Sequence, residues 1–320
     1  MAAGGQLTNA FDSYDVVGDK EDVSELIDDI SPTNTPFISN IGSAPATNTY
    51  FEWQEDALAT AAENHQIEGF DVTTYTAVTA TSRIGNWTSI ASKDFVVSGT
   101  ADEIDKYGRS TESGYQAARR ALELKRDVET NALANNAAVA GNSTTARETG
   151  GLSAFLKTNV DMSATNGVTP VWTSAPTDAR SDGTTRTFTE AMLRTVVLSV
   201  WEQGGEPTLA LLPGAQKQTA SAFAGIAAQR YQAPGGKQTT IIAGAEIYLH
   251  DFGELMMVPS RFGPSTSVFV VDPEGARRRI LRPYQAEVMA KTGDSRKMMF
   301  LCEEGLECQE KRHGIIADLA

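Results

Sequence analysis

Residues 109–138 read RSTESGYQAARRALELKRDVETNALANNAA. No proline interrupts them, and their single glycine is Gly114, near the start. Tyr115, Ala118, Leu122, Val128, Ala132 and Leu133 recur at helical spacing and give a loose apolar stripe. Arg119 with Glu123, and Lys125 with Glu129, stand four apart and can pair along the surface. The pattern predicts one helix of about seven turns, on the order of 40 Å long at 1.5 Å per residue. That length reads as a strut.

Upstream, residues 48–54 read NTYFEWQ, a strand with aromatics on both faces. Residues 57–62 and the polar stretch around Asn64 form a tip. Val72 to Val97 is then nearly continuous β sequence, rich in Thr, Val and Ala. The reading is a long two-stranded arm with a broad tip. A hairpin with so little apolar content is not stable alone, so it has to lie on something. Before it, residues 1–20 are Gly-rich and polar and read as a flexible arm. Asp22 and Glu25 form a capping box for a short helix carrying Val23, Leu26, Ile27 and Ile30. Ser31-Pro32 ends that helix, and Pro36 keeps the chain extended.

Downstream, residues 141–183 are loop-like, with short structure expected around Leu152–Leu156. A compact α/β section follows. Thr187 and Glu190 fit a capping box, and Met192, Leu193, Val196, Val197, Val200 and Trp201 line one helical face. Gly204-Gly205 stops that helix. Strands are expected at 208–212, 239–249, 254–258 and 268–271, a second helix at 215–224, and a Pro/Gly loop at 231–237. The rest reads as a meander of strands at 277–282, 286–290, 297–302 and 306–309, with turns at Pro283, Gly293-Asp294 and Glu304-Gly305.

The chain has 320 residues, which fits one elaborate domain or two intimate ones. Hydrophobic residues make up 41% and charged residues 21%, which excludes wholesale disorder. No apolar run approaches the roughly 18 residues of a membrane helix. The N-terminus lacks a secretion signal, and two cysteines are too few for a disulfide framework; both features point to folding in a reducing cytoplasm. Of the net charge of −14, residues 1–80 carry all but about one unit: 14 acids against Lys20. That asymmetry either aids solubility or marks a segment that docks on bases. No basic face of the kind a nucleic-acid reader needs stands out.

Catalytic chemistry is sparse. His65, His250 and His313 have no second ligand at metal spacing. His65 with Glu68 reads as solvated tip, His250-Asp251 as a turn pair, and His313 as part of a basic tail. Pro234 to Lys237 lacks the Ser or Thr and the leading Gly of a phosphate loop. Cys302 and Cys308 flank an expected tight turn as free buried thiols. Arg277, Arg278, Arg279 and Arg282 form the one basic run; a pair network along a strand competes there with a contact to DNA or an acidic neighbour. No catalytic residue, metal or cofactor is assigned.

The order of parts, together with several strings, resembles the tailed-bacteriophage major capsid (major head) proteins of the Hong Kong 97-like fold. The strings are Glu21-Asp22-Val23-Ser24-Glu25-Leu26-Ile27, Ile30-Ser31-Pro32, Thr35-Pro36-Phe37, Glu52-Trp53-Gln54, Gly85-Asn86-Trp87-Thr88, Val97-Ser98-Gly99-Thr100, Lys106-Tyr107-Gly108-Arg109, Glu123-Leu124-Lys125-Arg126-Asp127, Leu281-Arg282-Pro283 and Ala290-Lys291-Thr292-Gly293-Asp294-Ser295. The resemblance spans nearly the whole chain.

It implies an α+β Hong Kong 97-like fold: N-arm with a short helix (1–47), E-loop hairpin (48–100), P-domain spine helix and loop excursion (101–185), α/β A-domain (186–272), and returning P-domain strands and tail (273–320). It implies a non-enzymatic subunit assembling as a homo-oligomer of hexamers and pentamers in an icosahedral shell. That shell sits in the virion, assembles in the host bacterial cytoplasm and encloses double-stranded DNA held non-specifically. Portal, scaffold or decoration proteins are the implied partners, with no membrane. An encapsulin-type nanocompartment on the same fold is the alternative.

Some relatives cross-link through an E-loop Lys; residues 48–92 contain none, which speaks against a covalent lattice. In this fold the E-loop lies on a neighbour's spine helix. The expected interface therefore sets Tyr50, Phe51 and Trp53 as apolar anchors. Glu52, Glu55 and Asp56 would face Arg109, Arg119, Arg120, Lys125 and Arg126.

Overall fold

The computed structural model describes residues 31–223 and 247–320. The expected helix at 22–30, the loop at 231–237 and most of the strand at 239–249 lie outside them. In chain order the described elements begin with α1 (Pro36–Asn40), β1 (Gly42–Pro45), β2 (Tyr50–Glu55), β3 (Ser82–Trp87), β4 (Ser89–Ser98), α2 (Gly99–Glu103) and α3 (Glu112–Leu133). Then come α4 (Leu152–Phe155), β5 (Val160–Asp161), α5 (Glu190–Glu202), β6 (Leu209–Leu212), α6 (Gly214–Ser221), β7 (Ile247–His250), β8 (Gly253–Pro259) and β9 (Val268–Val271). The chain closes with β10 (Ala276–Val288), β11 (Ser295–Cys308) and β12 (Gly314–Ile316).

The strut is α3, 22 residues long and thus about 33 Å. Thr111 caps it by accepting from the Gly114 N–H, and Asp102 accepts from the N–H and hydroxyl of Ser113. It stops before the expected end because Asn135 turns away to exchange two hydrogen bonds with the backbone of Arg180. Its core face is Leu124, Val128, Ala132 and Leu133. Leu122 and Ala118, expected in the stripe, are exposed. The first half of α3 thus buries only Ser113 and has no apolar seat inside the subunit. Glu129 does not pair with Lys125. It is fully buried and accepts from the Phe37 and Ile38 N–H groups, 2.8 Å each, fastening α1 to the strut.

The closing segment is simpler than the expected four-strand meander. β10 and β11 are two long antiparallel strands in a sheet of order β1-β10-β11-β4, and the turn at Gly293-Asp294 is the one that forms. Pro283 sits in the register irregularity between Arg282 and Gln285, where no ladder bond needs its missing N–H. Gly305 lies inside β11, where an added Cβ would stand 2.6 Å from the Phe51 ring and 2.8 Å from the Trp87 carbonyl. Close approach, not a turn, explains that glycine. Cys302 and Cys308 therefore share one strand and are buried and free; six residues apart, they are about 20 Å from each other.

The second sheet runs β5-β12-β9-β6-β8-β7 and draws strands from three of the sequence segments. The fully buried runs LALL (β6) and VFVV (β9) are its centre. Leu193, Val196, Val197 and Val200 of α5 cover one face. The Thr187 capping box does not form: Thr189 is the N-cap, and Glu190 accepts from the Tyr248 hydroxyl instead. Gly204, at φ +87°, ends the helix as expected. His313 is no exposed tail residue but is completely buried behind β9.

The hairpin β2–β3 has six paired positions, from Tyr50↔Trp87 to Glu55↔Ser82. Residues 56–81 beyond it hold no strand, contrary to the expected β run from Val72. Leu58, Ile67, Tyr75 and Val78 are 80% exposed or more, so nothing within the subunit gives that alternating sequence a face to pack on.

Candidate assembly surface

The hairpin residues divide. Phe51 and Trp53 are buried in the subunit's own core, stacked on each other at 6.1 Å, with Trp53 packed on Phe155 at 6.0 Å. They anchor the base of the hairpin to its own body, which corrects their expected role as anchors on a neighbour. Tyr50 packs on Trp87 at 4.6 Å and remains half-buried. Glu52 is exposed and pairs with Arg83. Glu55 accepts from the Trp53 indole N–H, and burial lifts its carboxyl above the usual range. Asp56 is exposed at the start of the uncovered arm.

The spine bases are partly satisfied within the chain. Arg109 pairs with Glu112 at 2.7 Å and lies over the Tyr115 ring. Glu123 takes Arg120 at 2.5 Å and Arg119 loosely at 4.0 Å. Arg126 lies over Phe262, and Lys125 is exposed. Among the described residues no ion pair joins the hairpin acids to these bases. The Arg277–Arg282 run is a pair network: Arg278–Glu304 at 3.5 Å, Arg282–Glu303 at 2.7 Å and Arg279–Glu307.

What sequence reasoning missed is how the 141–183 excursion is held. Asn86 is fully buried. Its carbonyl accepts from the Gly150 and Trp87 N–H groups, and its amide nitrogen lies 2.7–3.2 Å from Leu306 O, Thr149 Oγ1 and Gly150 O. Glu303 takes Arg147, and Glu310 accepts from the Lys157 and Thr158 N–H groups. Asp318 accepts from Ser163 and Gly183 N–H and from Arg180, 3.4 Å away. Glu310, Asp318 and Asn86 thus satisfy backbone groups of this loop, and Glu303 holds its Arg147 side chain. The legible signal was acids set among apolar residues at 301–319.

A strut half-bare of core contacts and an arm without a seat leave surface that the subunit does not cover itself. That is the architecture of a virion shell subunit. The solved structures it resembles are shells: a cyanophage A-1(L) capsid asymmetric unit (TM-score 0.67, 11% identity, 98% of this chain and 99% of that one) and the capsid of a native GTA particle (TM-score 0.61, 13% identity, 96% and 98%). They share the Hong Kong 97-like fold. The chain belongs to the SU10 major capsid protein family, whose model matches residues 6–320. The major capsid protein of Escherichia phage Phieco32 is 26% identical over 92% of this chain and 93% of its own length. These matches favour a tailed-phage capsid over an encapsulin-type compartment.

Proposed function

We infer that this capsid protein forms hexamers and pentamers that close an icosahedral shell in the host cytoplasm, around double-stranded DNA held without sequence reading and a portal at one vertex, and that it catalyses no reaction. The observation that carries this is the arm, residues 56–81, exposed along its length and bearing large apolar side chains. Its seat is the bare first half of a neighbour's α3. Along that helix Arg119, Lys125 and Arg126 meet Glu55, Asp56, Glu63, Glu68 and Asp71, acids of the hairpin and arm. Each exposed pair contributes only about 0–1 kcal/mol; repetition in a closed lattice supplies the rest.

The test is negative-stain microscopy with size-exclusion chromatography of the purified protein, alone and co-expressed with its neighbouring phage proteins. Closed shells or capsomer rings are expected. A small oligomer that assembles in neither setting overturns the reading.

A further inference from the structure

Among the described residues β7 is an edge strand of the six-stranded sheet, and the corner it forms with β8 and α5 is apolar on both sides. Tyr248 of β7 points into the core, towards Glu190 of α5, so its neighbours Ile247 and Leu249 face away from α5. Met256 stands opposite Ile247 in register, flanked by buried Leu255 and Met257, and shares that outer face. On the α5 side, Leu198 and Trp201 project from the helix, and Trp201 stacks on Phe252 of the β7–β8 turn at 4.6 Å and 20°. All six side chains are 40–53% exposed. Single exposed apolar residues mean little; two clusters back to back on one corner form contiguous patches.

Each patch carries charged side chains at its rim: an acid beside the first, and beside the second a base in a solvent-exposed pair. Glu254 pairs with Leu249 in register and so lies on the first face. Arg194 lies one turn before Leu198 beside the second, and its contact with Asp251 is solvent-exposed at 3.4 Å. A two-fold pair uses one patch twice and leaves the other bare. Head-to-tail packing covers both and repeats until a ring closes.

We propose that this corner is a ring-closing contact between copies of the chain: Ile247, Leu249 and Met256 of one subunit pack on Leu198, Trp201 and Phe252 of the next, and Glu254 meets Arg194 across the rim. The proposal rests on the shell reading and adds the surface that joins subunits within one ring.

The experiment uses the full-length protein with Met256→Glu and Leu198→Glu made separately. Both positions are exposed, so circular dichroism should match the wild type. Each variant should yield at least tenfold fewer rings or shells than the wild type. Mixing the two leaves one intact pair of faces in each mixed pair, so the mixture should give more heterodimer than either variant alone gives homodimer, and no closed rings, at the concentration where the wild type assembles. Arg194→Glu and Glu254→Arg should each reduce assembly, and the double exchange should restore it. Normal rings from either glutamate variant, or no heterodimer on mixing, overturn the corner contact while wild-type shells keep the shell reading intact. A wild type that never assembles counts against the shell reading itself and takes this contact with it.

Discussion

Asn86 joins three pieces of chain that are remote in sequence: β3, the start of the loop excursion and β11. Asn86→Ala leaves the Gly150 N–H and the Leu306 carbonyl buried without partners. Each such group costs about 1–3 kcal/mol, so urea denaturation should show a loss of about 2–6 kcal/mol. His313 makes a pH statement. Its Nδ1 accepts from the Asp272 N–H, and complete burial pushes its pKa down to about 4 from the ordinary 6.5. The unfolded chain therefore binds the proton first as pH falls. Stability from this site is complete above about pH 6.5 and declines as pH drops towards 4, by up to about 3 kcal/mol. His313→Gln should flatten that part of the stability–pH curve relative to the wild type; an unchanged slope would sink the assignment.

At the scale of elements, α3, α5, β6 and β9 were legible because periodicity or short buried runs specify them locally. The continuity of β10 and β11 was not. Pro283 and Gly305 are ordinary turn signals, and only the bulge beside one and the Phe51 ring against the other make them compatible with strands. Gly305→Ala should therefore push the hairpin base off the sheet, costing about 1–3 kcal/mol by overpacking, with a visible change in near-ultraviolet circular dichroism from Phe51 and Trp53. The Glu129 clamp on α1 escaped the sequence as well, since a Lys125 one turn away offered a simpler partner. Glu129→Ala strands two buried N–H groups; limited proteolysis should then cut near Phe37 and Ile38 faster than in the wild type.

For the whole molecule, the family and fold class were legible from ordered strings across the chain, whereas the contact residues were only half legible. Phe51 and Trp53 are apolar for the subunit's own core, and a sequence cannot say whether an aromatic residue serves its own body or a neighbour's. The proposed interface keeps the acidic arm and the bare strut. Arg119→Glu with Arg126→Glu should give folded subunits by circular dichroism with few or no shells by microscopy. Normal particles would remove the strut from the contact.

Residues 56–81 are free in the lone subunit, and freezing them in place has an entropic cost. In the proposed docking, fixing even part of this segment costs about 1–2 kcal/mol per residue for the backbone alone, which offsets much of what its apolar side chains and acids gain. On that proposal each new neighbour adheres weakly at first. A subunit that joins at the wrong angle can leave again before others lock it in, and a growing shell can correct its curvature while it is still open.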